Sequence, residues 1–80
     1  MSKMKPQTST DVEVLLSEAL GTTKLDSYVD IYKEKGKPVA LIKPKKRLRG
    51  TIWNQIDKKI REWNGTWRRS QQLWDVPLNG

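Results

Sequence analysis

Residues 51–76 read Thr51-Ile-Trp-Asn-Gln-Ile-Asp-Lys-Lys-Ile-Arg-Glu-Trp63-Asn-Gly-Thr-Trp-Arg-Arg-Ser-Gln-Gln-Leu-Trp74-Asp-Val76, and a change of hydrophobic period inside this stretch decides the fold. Ile52, Ile56, Ile60 and Trp63 recur at i, i+4, i+8 and i+11, while Lys58, Lys59, Arg61 and Glu62 are spread over the other faces. One apolar stripe on an otherwise charged segment predicts an amphipathic helix over 51–63. Asn64-Gly65 predicts a left-handed helix exit. Beyond it, residues 66–69 and 73–76 flank Ser70-Gln71-Gln72 and are closed by Pro77, which predicts a short β-hairpin.

Working back toward the N-terminus, residues 27–33 are β-branched and aromatic, and a second apolar run, 38–43, follows the loop Glu34-Lys35-Gly36-Lys37. This predicts another hairpin. Strand alternation puts Val29 and Ile31 on one face and Tyr28, Asp30 and Tyr32 on the other. Pro44 ends the second strand or holds it at a sheet edge, since it has no N–H to donate. Earlier still, Thr10-Asp11-Val12-Glu13 has the pattern of a capping box, with both acids at the positive end of a helix dipole. Val12, Leu15, Leu16, Ala19 and Leu20 then recur at helical spacing, and Gly21 supplies the stop, so a helix is expected over 11–20. The order helix, hairpin, helix, hairpin predicts an α+β domain with an antiparallel sheet packed on helices. The expected organisation is one domain over 10–80 behind a flexible N-terminal tail, 1–9. No internal repeat is present.

Eighty residues bury a thin core, about 60% of the unfolded chain's surface. The chain has no Cys and no His, which removes disulfides, thiolate nucleophiles, the usual zinc ligands and imidazole acid–base catalysis. No cofactor and no metal are expected. Its carboxylates form no paired motif and there is no Gly-rich phosphate loop, so an enzyme is not expected. No apolar run approaches the length of a membrane span, and Met-Ser-Lys-Met-Lys-Pro lacks the apolar core of a signal peptide. The expectation is a soluble cytoplasmic protein, or a nuclear one in a eukaryote, with no membrane partner.

Charge is distributed unevenly. Residues 1–34 hold four Lys and six acids, net 4 − 6 = −2, whereas residues 35–80 hold twelve Lys/Arg and three acids, net 12 − 3 = +9. The total of +7 is therefore concentrated in one half, which favours an anionic partner, nucleic acid first among them. A solvated basic face is the bland alternative. The densest run, Lys43-Pro44-Lys45-Lys46-Arg47-Leu48-Arg49, puts five cations in seven residues just ahead of the predicted second helix. With Gly50 or Thr51 at the cap, helix N–H groups and cations converge where a phosphate could sit.

All four tryptophans, Trp53, Trp63, Trp67 and Trp74, lie in the basic half. Trp63 belongs to the Ile52–Ile56–Ile60 stripe and is assigned to the core. Trp74, with Val76 on its face, is expected beneath the helix, which leaves Trp53 and Trp67 as the exposed pair. Arg68 and Arg69 follow Trp67 in a predicted strand, so one is expected on the basic surface and the other on an acid such as Asp57 or Glu62. Tyr28 and Tyr32 either extend the same surface or contact helix 11–20.

The stretch Ile60-Arg-Glu-Trp-Asn-Gly65-Thr-Trp67-Arg-Arg-Ser-Gln-Gln-Leu-Trp74-Asp-Val-Pro77 resembles nucleic-acid-associated modules of the HARP type and the archaeal ThermoDBP single-stranded DNA-binding proteins. The resemblance covers 18 of 80 residues, with Gly65, Trp67, Trp74 and Pro77 as its fixed points. This chain is shorter and carries Asn64 where a second Gly often stands. The resemblance implies a cleft with a hydrophobic floor and basic rims.

Together these readings point to a small non-enzymatic nucleic-acid-binding protein that prefers single strands, DNA or RNA. The candidate contacts are Lys43, Lys45, Lys46, Arg47, Arg49, Lys58 and Arg68 for the backbone, with Trp53, Trp67, Tyr28 and Tyr32 for the bases. Unpaired bases can stack on such rings, which favours the single strand. Two rivals use the same side chains. One is a double-stranded DNA binder with helix 51–63 in the major groove and the last hairpin as a wing. The other is an accessory subunit that docks on a larger protein through its tryptophans.

Overall fold

A computed structural model describes residues 5–21 and 24–78. The elements are α1 (Ser9–Leu20), β1 (Val29–Lys33), β2 (Val39–Pro44), α2 (Gly50–Glu62), β3 (Thr66–Arg68) and β4 (Leu73–Pro77). One turn of 3₁₀ helix, Leu25–Ser27, precedes β1. Both expected hairpins form, and they merge into one antiparallel sheet of order β1-β2-β4-β3 because β2 also pairs with β4. The fold is α+β. Among the described residues no helix is long and apolar enough to cross a membrane.

Strand alternation sorts the sheet into two faces. Val29, Ala40, Ile42, Trp74 and Val76 point to one face and are buried with Val12 and Leu16 of α1 and Ile56, Ile60 and Trp63 at α2. Helix α1 lies on β1 and β2, α2 on β4 and β3, and the helices touch each other. The second face carries Asp30, Tyr32, Leu41, Lys43, Asp75 and Arg68, and among the described residues both helices pack on the first face. The stripe on α2 and the assignment of Trp63 and Trp74 to the core are as expected; both indoles are 2% exposed or less. In α1, Leu15 and Leu20 are partly buried, while Ala19 is exposed.

The helix ends differ from expectation in instructive ways. Helix α1 is capped by Thr8, not Thr10: its hydroxyl oxygen accepts from the Asp11 N–H at 3.1 Å, and Asp11 Oδ2 accepts from the Gln7 N–H at 3.0 Å. The pattern Thr-x-x-acid occurs twice in overlapping positions, and the earlier copy accompanies full burial of Pro6. Residues 5–9 of the expected tail thus hold a buried side chain and a helix start, while residues 1–4 lie outside the described residues. Gly21 ends the helix at φ 64°, as expected.

At the end of α2 the left-handed residue is Asn64, with φ 63°, and Gly65 has an ordinary backbone. Gly65 is needed for another reason: a Cβ there would overlap the Ile60 side chain and stand 2.5 Å from the Asp75 carbonyl oxygen. The absent side chain lets the α2 exit lie directly against β4. Arg69 sits in the turn after β3 and not in the strand, so the expectation that Arg68 and Arg69 point to opposite strand faces does not hold.

Candidate functional site

Strand β2 continues past Ile42, its last pair with β4 opposite Trp74, for two more residues, Lys43 and Pro44. Those two residues, together with Lys46, Arg47 and Leu48 of the connector, line a cleft of ≈ 550 Å³ with Trp53 on α2, Trp67 on β3 and Gln72 in the last turn; Lys43 stands opposite Asp30 in the strand pairing and so starts from the uncovered face of the sheet.

The floor of this cleft is an aromatic cluster. Trp67 stands directly opposite Trp74 in the β3–β4 pairing, which places both indoles on the helix side. Their centroids are 4.8 Å apart, and Trp53 comes down from α2 to 5.9 Å from Trp67 and 5.3 Å from Trp74. None of the three contacts is a parallel stack; the interplanar angles run from 45° to 71°. Edge-to-face and tilted pairs of this kind contribute about 0.5–1.5 kcal/mol each beyond the area they bury. Trp74 is fixed further by its indole N–H, which donates to Asp57 Oδ1 at 3.1 Å. Trp53 and Trp67 are half-buried, so each gives part of its ring to the core and part to the cleft.

The rim is cationic. Among the described residues no carboxylate pairs with Lys43, Lys46, Arg47 or Arg49. The N-terminus of α2 adds to the same field, because its cap residue is Arg49, without a side-chain cap bond, and its first turn holds no acid. The cap is thus Arg49 and neither Gly50 nor Thr51.

A second cleft of ≈ 480 Å³ lies on the other side of the connector. It shares Lys46, Arg47 and Leu48 with the first and is completed by Tyr28, Arg49 and Ile52. Tyr28 is not a strand residue: it follows the 3₁₀ turn and is half-buried against the core. Lys46 Nζ lies over its ring, 5.3 Å from the centroid.

The remaining candidates lie elsewhere. Lys45 pairs with Asp30 at 3.4 Å. Lys58 is about 200° around α2 from buried Ile56, on the solvent side. Tyr32, 42% exposed, is on the uncovered sheet face. Arg68 is on that face too and does not join the basic surface. Its Nε donates to Asp75 Oδ2 at 2.7 Å and its Nη2 to Glu34 Oε1 at 3.2 Å. The acid expected to hold Arg68 or Arg69, Asp57, instead takes Arg61 at 2.8 Å and Trp74; Glu62 takes Lys59 at 3.7 Å.

The Arg68 group perturbs its own titrations. Its hydrogen bonds and charge hold the Glu34 carboxyl below the usual glutamate value, against a smaller effect of burial. Burial pushes Asp75 up, but hydrogen bonds from Arg68 and Thr66 outweigh it and the net shift is downward. Arg68 itself is raised by Glu34 and Asp75.

Three cleft residues were not anticipated: Pro44, Leu48 and Gln72. Leu48 had a legible signal, as the single apolar side chain between Arg47 and Arg49. Gln72 had none; it is brought in by a left-handed turn conformation, φ 55°. Among the described residues no group of three or more His, Cys, Asp or Glu is arranged to hold a metal ion. No protein-family model, curated protein or solved structure matches the chain.

Proposed function

We propose that this protein binds single-stranded nucleic acid, without catalysing a reaction on it, in the cleft between the basic connector and the Trp53–Trp67 floor. The observation that carries the reading is the meeting of half-buried indoles with Lys46 and Arg47, which no carboxylate holds among the described residues, around one cleft. Cations displace counterions from phosphate, and indole rings give bases a surface to stack on. The resemblance of residues 60–77 to ThermoDBP-type proteins implies an apolar floor with basic rims, and this cleft is of that kind.

The double-strand alternative has less support. It needs the outer cations of α2, of which Lys59 is held by Glu62 and lies 5.8 Å from the Trp63 ring centroid and Arg61 is held by Asp57, which leaves Lys58 on the solvent side. Fluorescence titration with single- and double-stranded oligonucleotides at two salt concentrations tests the reading, because the tryptophans report the cleft directly. Quenching by single strands that weakens steeply with salt is expected. Absence of binding to either, with capture of a protein partner through Trp53 and Trp67, would instead make the chain an accessory subunit.

A further inference from the structure

The two clefts share one wall. Lys46, Arg47 and Leu48 line both, so the connector is a ridge with Trp53 and Trp67 on one side and Tyr28 and Ile52 on the other. Each side offers an aromatic ring, and the ridge between them offers cations. Tyr28 turns a ring face toward that ridge, as the position of Lys46 Nζ over it demonstrates. A nucleotide strand has the complementary layout, with a charged backbone between bases that can splay outward.

On the reading just proposed, we infer that the strand crosses the ridge and sends neighbouring bases into different clefts. One base stacks on the Trp53–Trp67 floor, the next on Tyr28, and Lys46 and Arg47 hold the phosphate between them. Lys46 leaves the Tyr28 ring for that phosphate as the base takes its place. The smallest ligand that fills both clefts is then two nucleotides joined by one phosphate.

The test measures wild-type affinity for oligothymidylates from mononucleotide to octanucleotide, followed by tryptophan quenching, and repeats the series with Tyr28→Leu, which keeps an apolar side chain against the core. Wild-type affinity is expected to rise steeply until both clefts are filled and only slowly with further length. Tyr28→Leu should flatten that step and bind the longer oligomers about 5- to 150-fold more weakly, the loss of one stacked base. If Tyr28→Leu matches wild type at every length, the two-cleft path is wrong while single-strand binding stands. If wild type binds no oligomer of any length, the underlying reading fails and the path with it. Photocrosslinking of wild type with a 5-iodouracil oligomer gives an answer that does not depend on how the variant folds. Adducts at both Tyr28 and a cleft tryptophan support the path; adducts at tryptophan alone overturn it.

Discussion

Arg68 on β3 and Glu34 just after β1 belong to opposite edges of the sheet, yet Arg68 Nη2 meets Glu34 Oε1 at 3.2 Å. With Asp75 of β4 on its Nε, the guanidinium ties three parts of the uncovered face together. This explains why a cation adjacent to Trp67 in the chain is absent from the cleft. Alternation along a strand sends neighbours to opposite faces, and the arginine found two acids on its own.

That relationship sets a pH dependence. Glu34 and Asp75 both have lowered folded-state pKa values, from ordinary values of 4.5 and 3.8. Stability from the group is therefore complete above those ordinary values and is lost as pH falls through the lower folded ones. The raised Arg68 pKa places any loss from that partner far on the alkaline side. Arg68→Met should lower Tm at neutral pH, and its difference from wild type should shrink as the two carboxylates protonate. Thermal melts from neutral to strongly acidic pH check this; a constant difference would show the group to be packing alone.

The exit of α2 separates two neighbouring residues by mechanism. Gly65→Ala forces a Cβ against Ile60 and the Asp75 carbonyl, and overpacking of this kind costs about 1–3 kcal/mol. Asn64→Gly relieves a positive φ and should be neutral or slightly stabilising. Urea unfolding of the two variants measures both effects. A tolerated Gly65→Ala would mean that β4 and the helix exit can separate.

The cations of the connector divide by partner. Ala at Lys46 or Arg47 should each reduce the slope of log K against log salt by about 0.7 on single strands, one lost contact apiece. Ala at Lys45, which is paired with Asp30, or at Lys58 should leave the slope near the wild-type value. Equal losses at all four positions would indicate a diffuse field and no defined path.

Trp67 serves both core and cleft, which changes what its removal should do. Because it stands 4.8 Å from buried Trp74, Trp67→Ala should cost stability, roughly 1–3 kcal/mol, besides weakening single-strand binding. Trp67→Phe should recover most of the stability and part of the affinity, since a smaller ring still packs and still stacks. Calorimetry and oligonucleotide titration on the pair check this. Full stability in Trp67→Ala would place the ring outside the core.

The sequence by itself determined the α+β class, the two helices and four strands, and the principal core side chains. Each rests on local periodicity: a 3.6-residue stripe made α2 readable, and two-residue alternation made Val29, Trp74 and Val76 readable. It also placed the cations and indoles in one half of the chain. Tertiary structure alone decided which of them meet. The β2–β4 pairing joins residues more than thirty apart, and the cleft is lined from both sides of that pairing, by the end of β2 and its connector and by Trp67 and Gln72. Nothing local to Lys43 or Trp67 encodes that pairing. Tertiary structure likewise withdrew Lys45 and Arg68 by giving them Asp30, Asp75 and Glu34, because whether a charge is free depends on which acids the fold brings within reach.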